Sequence, residues 1–135
     1  LFVVCDLDDR TLANFKSELL NVLNSCQNKP QTEFCIAIEE GEAWLLGDFG
    51  AIKQAYHHAK EQVYNSYQND SICGTWEKLA DMIYKGGAAA LKKKGSQEIG
   101  KSKSEWAREI SPYMNVDANN SPSFIYFRDK LRKYI

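Results

Sequence analysis

Two short acidic runs hold the side chains best suited to chemistry, Asp6-Leu7-Asp8-Asp9 and Glu39-Glu40-Gly41-Glu42. Each follows an apolar run of β-forming residues, Leu1 to Cys5 and Phe34 to Ile38. In extended chain, residues two apart point the same way. Asp6 with Asp8, and Glu40 with Glu42, can therefore each present two carboxylates to one side. Four carboxylates gathered closely repel unless some hold protons at a raised pKa or a divalent cation sits among them. Mg²⁺ takes a few carboxylates together with waters and phosphate oxygens, and carboxylate oxygens also suit Mn²⁺. Two such ions can hold both the attacking and the leaving oxygen of a phosphodiester. These acids also have plainer uses: Asp9 can cap the helix that follows, and Glu39 or Glu40 can be ordinary solvated charge. Both clusters falling at equivalent strand ends favours a metal site made by Asp6, Asp8, Glu40 and Glu42.

For the acids to meet, their strands must be neighbours. Between the two apolar runs, Leu12, Phe15, Leu19, Val22, Leu23 and Cys26 recur at helical spacing, with Asp9 or Thr11 as the cap. Gln27 to Thr32, with Asn28 and Pro30, reads as a loop. Strand, helix, strand implies parallel pairing with a right-handed crossover. Both acidic runs then emerge at the carboxyl edge, where ligands of open α/β sheets bind, on strands roughly 4.8 Å apart. The unbroken apolar character of both runs predicts strands buried on both faces. Because the chain opens inside a strand pattern, one or more N-terminal strands are expected ahead of Leu1.

Beyond residue 48 the pattern turns helical. Asp48 can cap a helix carrying Ile52, Ala55, Tyr56 and Ala59. Tyr64 to Ser71 reads as polar and irregular. Thr75 is expected to cap a helix with Trp76, Leu79, Ala80 and Ile83 on one face, which Gly86-Gly87 breaks. Ala88 to Lys94 is a short helix. Ser102 and Glu105 have capping-box spacing ahead of Trp106 and Ile110, and Ser121-Pro122 starts the last helix. The expectation is one α/β domain over residues 1–135: a βαβ metal-binding core over 1–48 and a mostly helical remainder over 49–135.

A chain of 135 residues that is 44% hydrophobic can bury a real core as a single domain. The net charge of −1 advertises neither nucleic acid nor membrane, so an anionic partner would be held by a local patch or through metal ions. No apolar run approaches the roughly 20 residues needed to span a bilayer. Cys5, Cys26, Cys35 and Cys73 show no C-x-x-C spacing, which points to free thiols in a reducing, cytoplasmic setting.

Other candidates carry less. His57 and His58 are adjacent on a helix and diverge by about 100°, so one metal cannot easily take both. Lys92-Lys93-Lys94 reads as a solvated helix end, Lys101 and Lys103 as surface charge, and Trp44, Trp76 and Trp106 as core. Ser102, Ser121 and Ser123 read as caps.

The segment from Val3 to Leu12, VVCDLDDRTL, resembles motifs of two families. The D-x-D motif after a strand is similar to that of haloacid-dehalogenase-like phosphatases, where Asp6 would be the nucleophile and Asp8 a general acid. Arg10 stands where that family has Thr or Val. Over nearly its whole length the chain more closely resembles the Toprim fold. The likeness is to its OLD-nuclease-like branch and to a bacterial Toprim-like family encoded beside AAA/ABC-type ATPases. The stretches that carry it are DLDD, IEEGEAWLLGD (38–48), SICGTWEKLAD (71–81), GKSKSEWAREISPYM (100–114) and SPSFIYFRDKL (121–131).

The resemblance implies a three-layer α/β fold in which Asp6 and Asp8 are the D-x-D metal pair, with Glu40 and Glu42 as additional ligands. Lys103, followed by Arg108 in a K-x4-R pattern, would stabilise charge on the phosphate. It implies Mg²⁺- or Mn²⁺-dependent cleavage of DNA, or a Toprim-like subunit of an ATPase-linked bacterial defence system. The alternatives are a phosphatase using Asp6 and a non-catalytic module docking on an ATPase. Toprim domains also carry a glutamate after an earlier strand, and no such strand precedes Asp6.

Overall fold

The computed structural model describes residues 1–135. Phe2–Asp6 forms β1 and Glu33–Ala37 forms β2, paired in parallel with Phe2 beside Glu33 and Asp6 beside Ala37. Helix α1 (Leu12–Ser25) makes the crossover that parallel pairing requires. Side-chain alternation divides the sheet into two faces. On one, Leu7 and Ile36 close over Phe15 of α1, with Cys5, Leu19 and Ile38 around them. From the other, the Phe2 ring meets Phe127 at 6.5 Å and Tyr134 at 5.5 Å, both edge-on.

The remainder is helical: α2 (Glu42–Leu46), α3 (Phe49–Ala55), α4 (Glu61–Asn65), α5 (Thr75–Ile83), α6 (Gly87–Lys92), α7 (Ser96–Ile110), a 3-10 turn (Ser111–Tyr113) and α8 (Pro122–Leu131). The larger core lies here rather than in the βαβ unit. Leu46, Ile52, Leu79, Met82, Leu91 and Ile110 are fully buried in one cluster drawn from α2, α3, α5, α6 and α7. Each such side chain contributes about 1.5–3 kcal/mol on leaving water. Local chemistry sets the helix starts. Asp48 caps α3 by accepting from Ala51 N at 3.0 Å, and its other oxygen accepts from Asn115 N at 2.8 Å. Ser121 caps α8 by accepting from Phe124 N, with Pro122 at the first helical position.

Helix α8 returns to the sheet. Lys130 Nζ lies 3.0 Å from Glu33 of β2, and Phe127 stacks on Trp44 of α2 at 5.2 Å. The loop before α8 is tied to the end of α2, where Asn119 Nδ2 donates to Trp44 O at 2.8 Å and Asn120 N to Gly47 O at 2.8 Å.

Five expectations change. Helix α3 ends at Ala55, so Tyr56, His57, His58 and Ala59 lie beyond it rather than on it. β1 is not buried on both faces: Val4 is 50% exposed, because only β2 flanks β1 and α8 docks on β2. Ser102 is not a cap; it lies mid-helix in α7 and is buried. The helix begins at Ser96, ahead of the Ser102–Glu105 spacing, and Trp106 and Ile110 anchor it in the core. Thr75 is not a cap either. It is the first residue of α5, fully buried, and its Oγ1 has no hydrogen-bond partner. Finally, the stretch read as irregular from Tyr64 begins inside α4.

Candidate functional site

Both acidic turns leave the same edge of the sheet, and the backbone ties them together. Leu7 N donates to Ala37 O at 3.0 Å, and Asp8 N to Glu39 O at 2.8 Å. Asp8 and Glu39 both adopt left-handed backbone, with φ of 55° and 65°. That conformation is uncommon outside glycine and found most often at sites held by their surroundings. The two left-handed residues turn both strands sharply at the edge, so the acids splay into different environments.

Glu40 and Glu42 converge on one cation of the protein itself. Lys103 Nζ, reaching across from α7, lies 3.0 Å from Glu40 Oε1 and 3.3 Å from Glu42 Oε2. Glu42 is buried, with 8% of its side chain exposed, while Glu40 and Lys103 keep 22% and 25%. Burial pushes the Glu42 carboxyl above its ordinary range, and the attraction of Lys103 only partly offsets it. Burial also opposes the charge on Lys103, but Glu42 and Glu40 together outweigh that and hold the ammonium above the usual lysine value. Asp6 stands in the same field. Burial raises its carboxyl, Lys103 and the Gly41 backbone N–H lower it, and Asp8 raises it, with a net upward shift.

The four predicted ligands are thus gathered at one edge but do not close into a shell. No three His, Cys, Asp or Glu side chains converge as a metal cage, and the Lys103 ammonium holds the place between Glu40 and Glu42 where a cation would go. In kind, the donors fit a hard divalent ion, being all oxygen. One of them, Glu40 Oε2, is buried without any partner, a costly state for a carboxylate oxygen that an ion or water would relieve. Arg108 is not brought to the site; it is 72% exposed and pairs with Glu109 at 3.0 Å.

Glu39 belongs elsewhere. Its carboxylate accepts from Gly74 N at 3.0 Å and Thr75 N at 2.6 Å. It therefore does for α5 what Thr75 was expected to do, satisfying N–H groups that the first helical turn leaves open. Beside it runs a cleft of ≈ 340 Å³, with Asp8, Glu39 and Glu40 on one wall and Ile72, Trp76 and Glu77 on the other. Trp76, read as core, does pack against the main core, but it is only half-buried and also lines this cleft.

A second polar cluster also escapes sequence reading. Asp70, in left-handed backbone at φ 57°, accepts from Ser121 Oγ and Ser123 N, both at 2.6 Å. Ser123 Oγ in turn accepts from Trp44 Nε1 at 2.9 Å. Every member is paired, so this network is a joint between the loop before α5, α2 and α8. All four cysteines are free thiols, and no helix is long and apolar enough to cross a membrane.

Comparison with known protein families, with characterised proteins and with solved structures returns no match.

Proposed function

We propose that this chain is the metal-binding part of a Toprim-like domain, a Mg²⁺- or Mn²⁺-dependent hydrolase of phosphodiester bonds in DNA, working in the bacterial cytoplasm. The observation that carries this reading is the meeting of Lys103 with Glu40 and Glu42 beside Asp6 and Asp8. Four carboxylates and one lysine at the carboxyl edge of a parallel pair are the parts that phosphodiester hydrolysis needs. Asp6, Asp8, Glu40 and Glu42 would hold the metal. When bound, the ion supplies an activated water and offsets phosphate charge. The chain's own contribution is positional. Glu42, which is buried, anchors Lys103. The Lys103 side chain keeps a quarter of its surface exposed, and over a phosphate at this edge its ammonium would stabilise the added negative charge of the transition state. The test is nicking of supercoiled plasmid with Mn²⁺. The reading expects activity that Lys103→Ala lowers by about a hundredfold or more and that chelation removes; activity indifferent to chelation would rule it out.

A second reading has its own observation. An open groove beside β1 and α1 is lined by Leu1, Val3, Leu19, Val22 and Leu23, with Val22 66% exposed. Exposed apolar surface of this kind often marks a protein contact, which favours a subunit that docks on an AAA/ABC-type ATPase in a defence system. Such docking is compatible with nuclease chemistry at the opposite end of β1.

A further inference from the structure

The cleft beside the carboxylates has an aromatic wall that metal chemistry does not use. Its ≈ 340 Å³ is enough for one nucleobase. Trp76 forms that wall with Ile72, which is 66% exposed. Lys92 Nζ lies 5.4 Å from the Trp76 ring centroid and 3.1 Å from Glu77 Oε1. Trp106 is 3% exposed in the main core, and Trp44, half-buried, is stacked on Phe127 and bonded to Ser123, whereas Trp76 packs part of its ring on the main core and leaves the rest to the cleft. Trp76 alone faces a cleft that also holds Asp8 and Glu40 of the proposed metal set.

We infer that Trp76 is a stacking platform for an unpaired base next to the scissile phosphate, so that the substrate is single-stranded nucleic acid or a frayed strand end. This rests on the metal-dependent reading above and names its substrate class. An indole stacks on any base, because every base has a π-face. In duplex both faces of each base are already covered, and freeing one costs a few kcal/mol. Lys92 Nζ lies over the indole face that a base would use, and its pair with Glu77, with side chains 56% and 27% exposed, is weakly held, so an arriving base displaces the ammonium toward the phosphate beside it. The carboxylates lining the cleft repel nucleic acid until a divalent ion offsets them. Binding is therefore cation-dependent, and the stacked base lies beside the metal-held phosphate.

The test is intrinsic tryptophan fluorescence, with Ca²⁺ present to occupy the carboxylates. The probes are a short oligo-thymidylate, a duplex of equal length and thymidine monophosphate. The oligonucleotide is expected to quench emission in Ca²⁺ and not in chelator. Trp76→Ala should bind it roughly five- to a hundredfold more weakly, with Trp76→Phe retaining most of the affinity. The duplex should leave emission unchanged, and the mononucleotide should bind more weakly than the polymer. Equal affinity in wild type and Trp76→Ala, equal quenching by duplex, or equal binding of the mononucleotide would overturn the assignment. Any of these three, with metal-dependent nicking intact, would leave the nuclease reading standing. Loss of all cation-dependent binding would end both.

Discussion

Lys103 Nζ lies 3.0 Å from Glu40 Oε1, joining the middle of α7 to the turn that leaves β2. With Glu42 at 3.3 Å, one ammonium offsets two carboxylates, one of them buried. Lys103→Met removes that offset and leaves Glu40 and Glu42 facing each other. A loss of about 1–3 kcal/mol in unfolding free energy is expected. If the site takes a divalent ion, Mg²⁺ should raise the unfolding midpoint of Lys103→Met more than that of wild type. Thermal unfolding with and without Mg²⁺ measures both effects.

Glu39 and Glu40 are adjacent in sequence and differ in role. Glu39→Ala removes the acceptor for Gly74 N and Thr75 N and is expected to cost about 1–2 kcal/mol, the range for a lost helix cap. Metal affinity should stay close to wild type. Urea unfolding checks the first expectation, and a metal titration on the same variant checks the second.

The joint between α2 and α8 depends on a close approach at Gly47. A methyl group there would overlap the Asn119 side-chain oxygen, which accepts from Ser121 N at 2.9 Å. Gly47→Ala should therefore destabilise by about 1–3 kcal/mol through overpacking. Ser121→Ala, which loses the α8 cap and the bond to Asp70, should cost about 1–2 kcal/mol. Because a methyl at Gly47 would also press on the Ser121 backbone N and so disturb the start of α8 itself, the double variant is expected to be less than additive in chemical denaturation.

Acid should loosen the docking of α8. Glu33 accepts from Lys130 and from the Tyr126 hydroxyl, and these contacts hold its carboxyl below the ordinary glutamate range, the Lys130 hydrogen bond first. A depressed folded pKa contributes stability above the unfolded value and loses it as pH falls through the folded one. Glu33→Gln should thus be slightly less stable than wild type at neutral pH. The gap should close in acid below both values, as read from paired urea midpoints across pH.

How much was legible depended on how local the cause was. The β1–α1–β2 unit follows from apolar runs and a helical period, and the caps Asp48 and Ser121 act on N–H groups three residues away. The cap on α5 is Glu39, whose partners lie 35 and 36 residues along the chain, and no local pattern marks it. The Ser102–Glu105 spacing places the start of α7 too late: the helix begins at Ser96 and runs through Gly100, an interior glycine that costs only about 1 kcal/mol and that the buried Trp106 and Ile110 offset. At the site, residue spacing alone pairs Asp6 with Asp8 and Glu40 with Glu42. Only the resemblance pointed to Lys103, since a lysine in a polar helix looks like surface charge until the fold brings it to an acid. Trp76 shares a helix face with Leu79, Ala80 and Ile83 and packs on the core as that implies, but as the second residue of α5 it also reaches the cleft, which no sequence pattern marks.

The central claim is that the carboxylates at this edge hold a divalent ion. Titration calorimetry with Mg²⁺ and Mn²⁺, on wild type and on the Asp6→Ala/Asp8→Ala double variant, tests it most directly. Wild type is expected to bind saturably, and the binding to disappear in the double variant while the fold persists by circular dichroism. Absence of binding by wild type for either ion, or unchanged binding by the double variant, would contradict it and leave Lys103, Glu40 and Glu42 as a structural ion cluster.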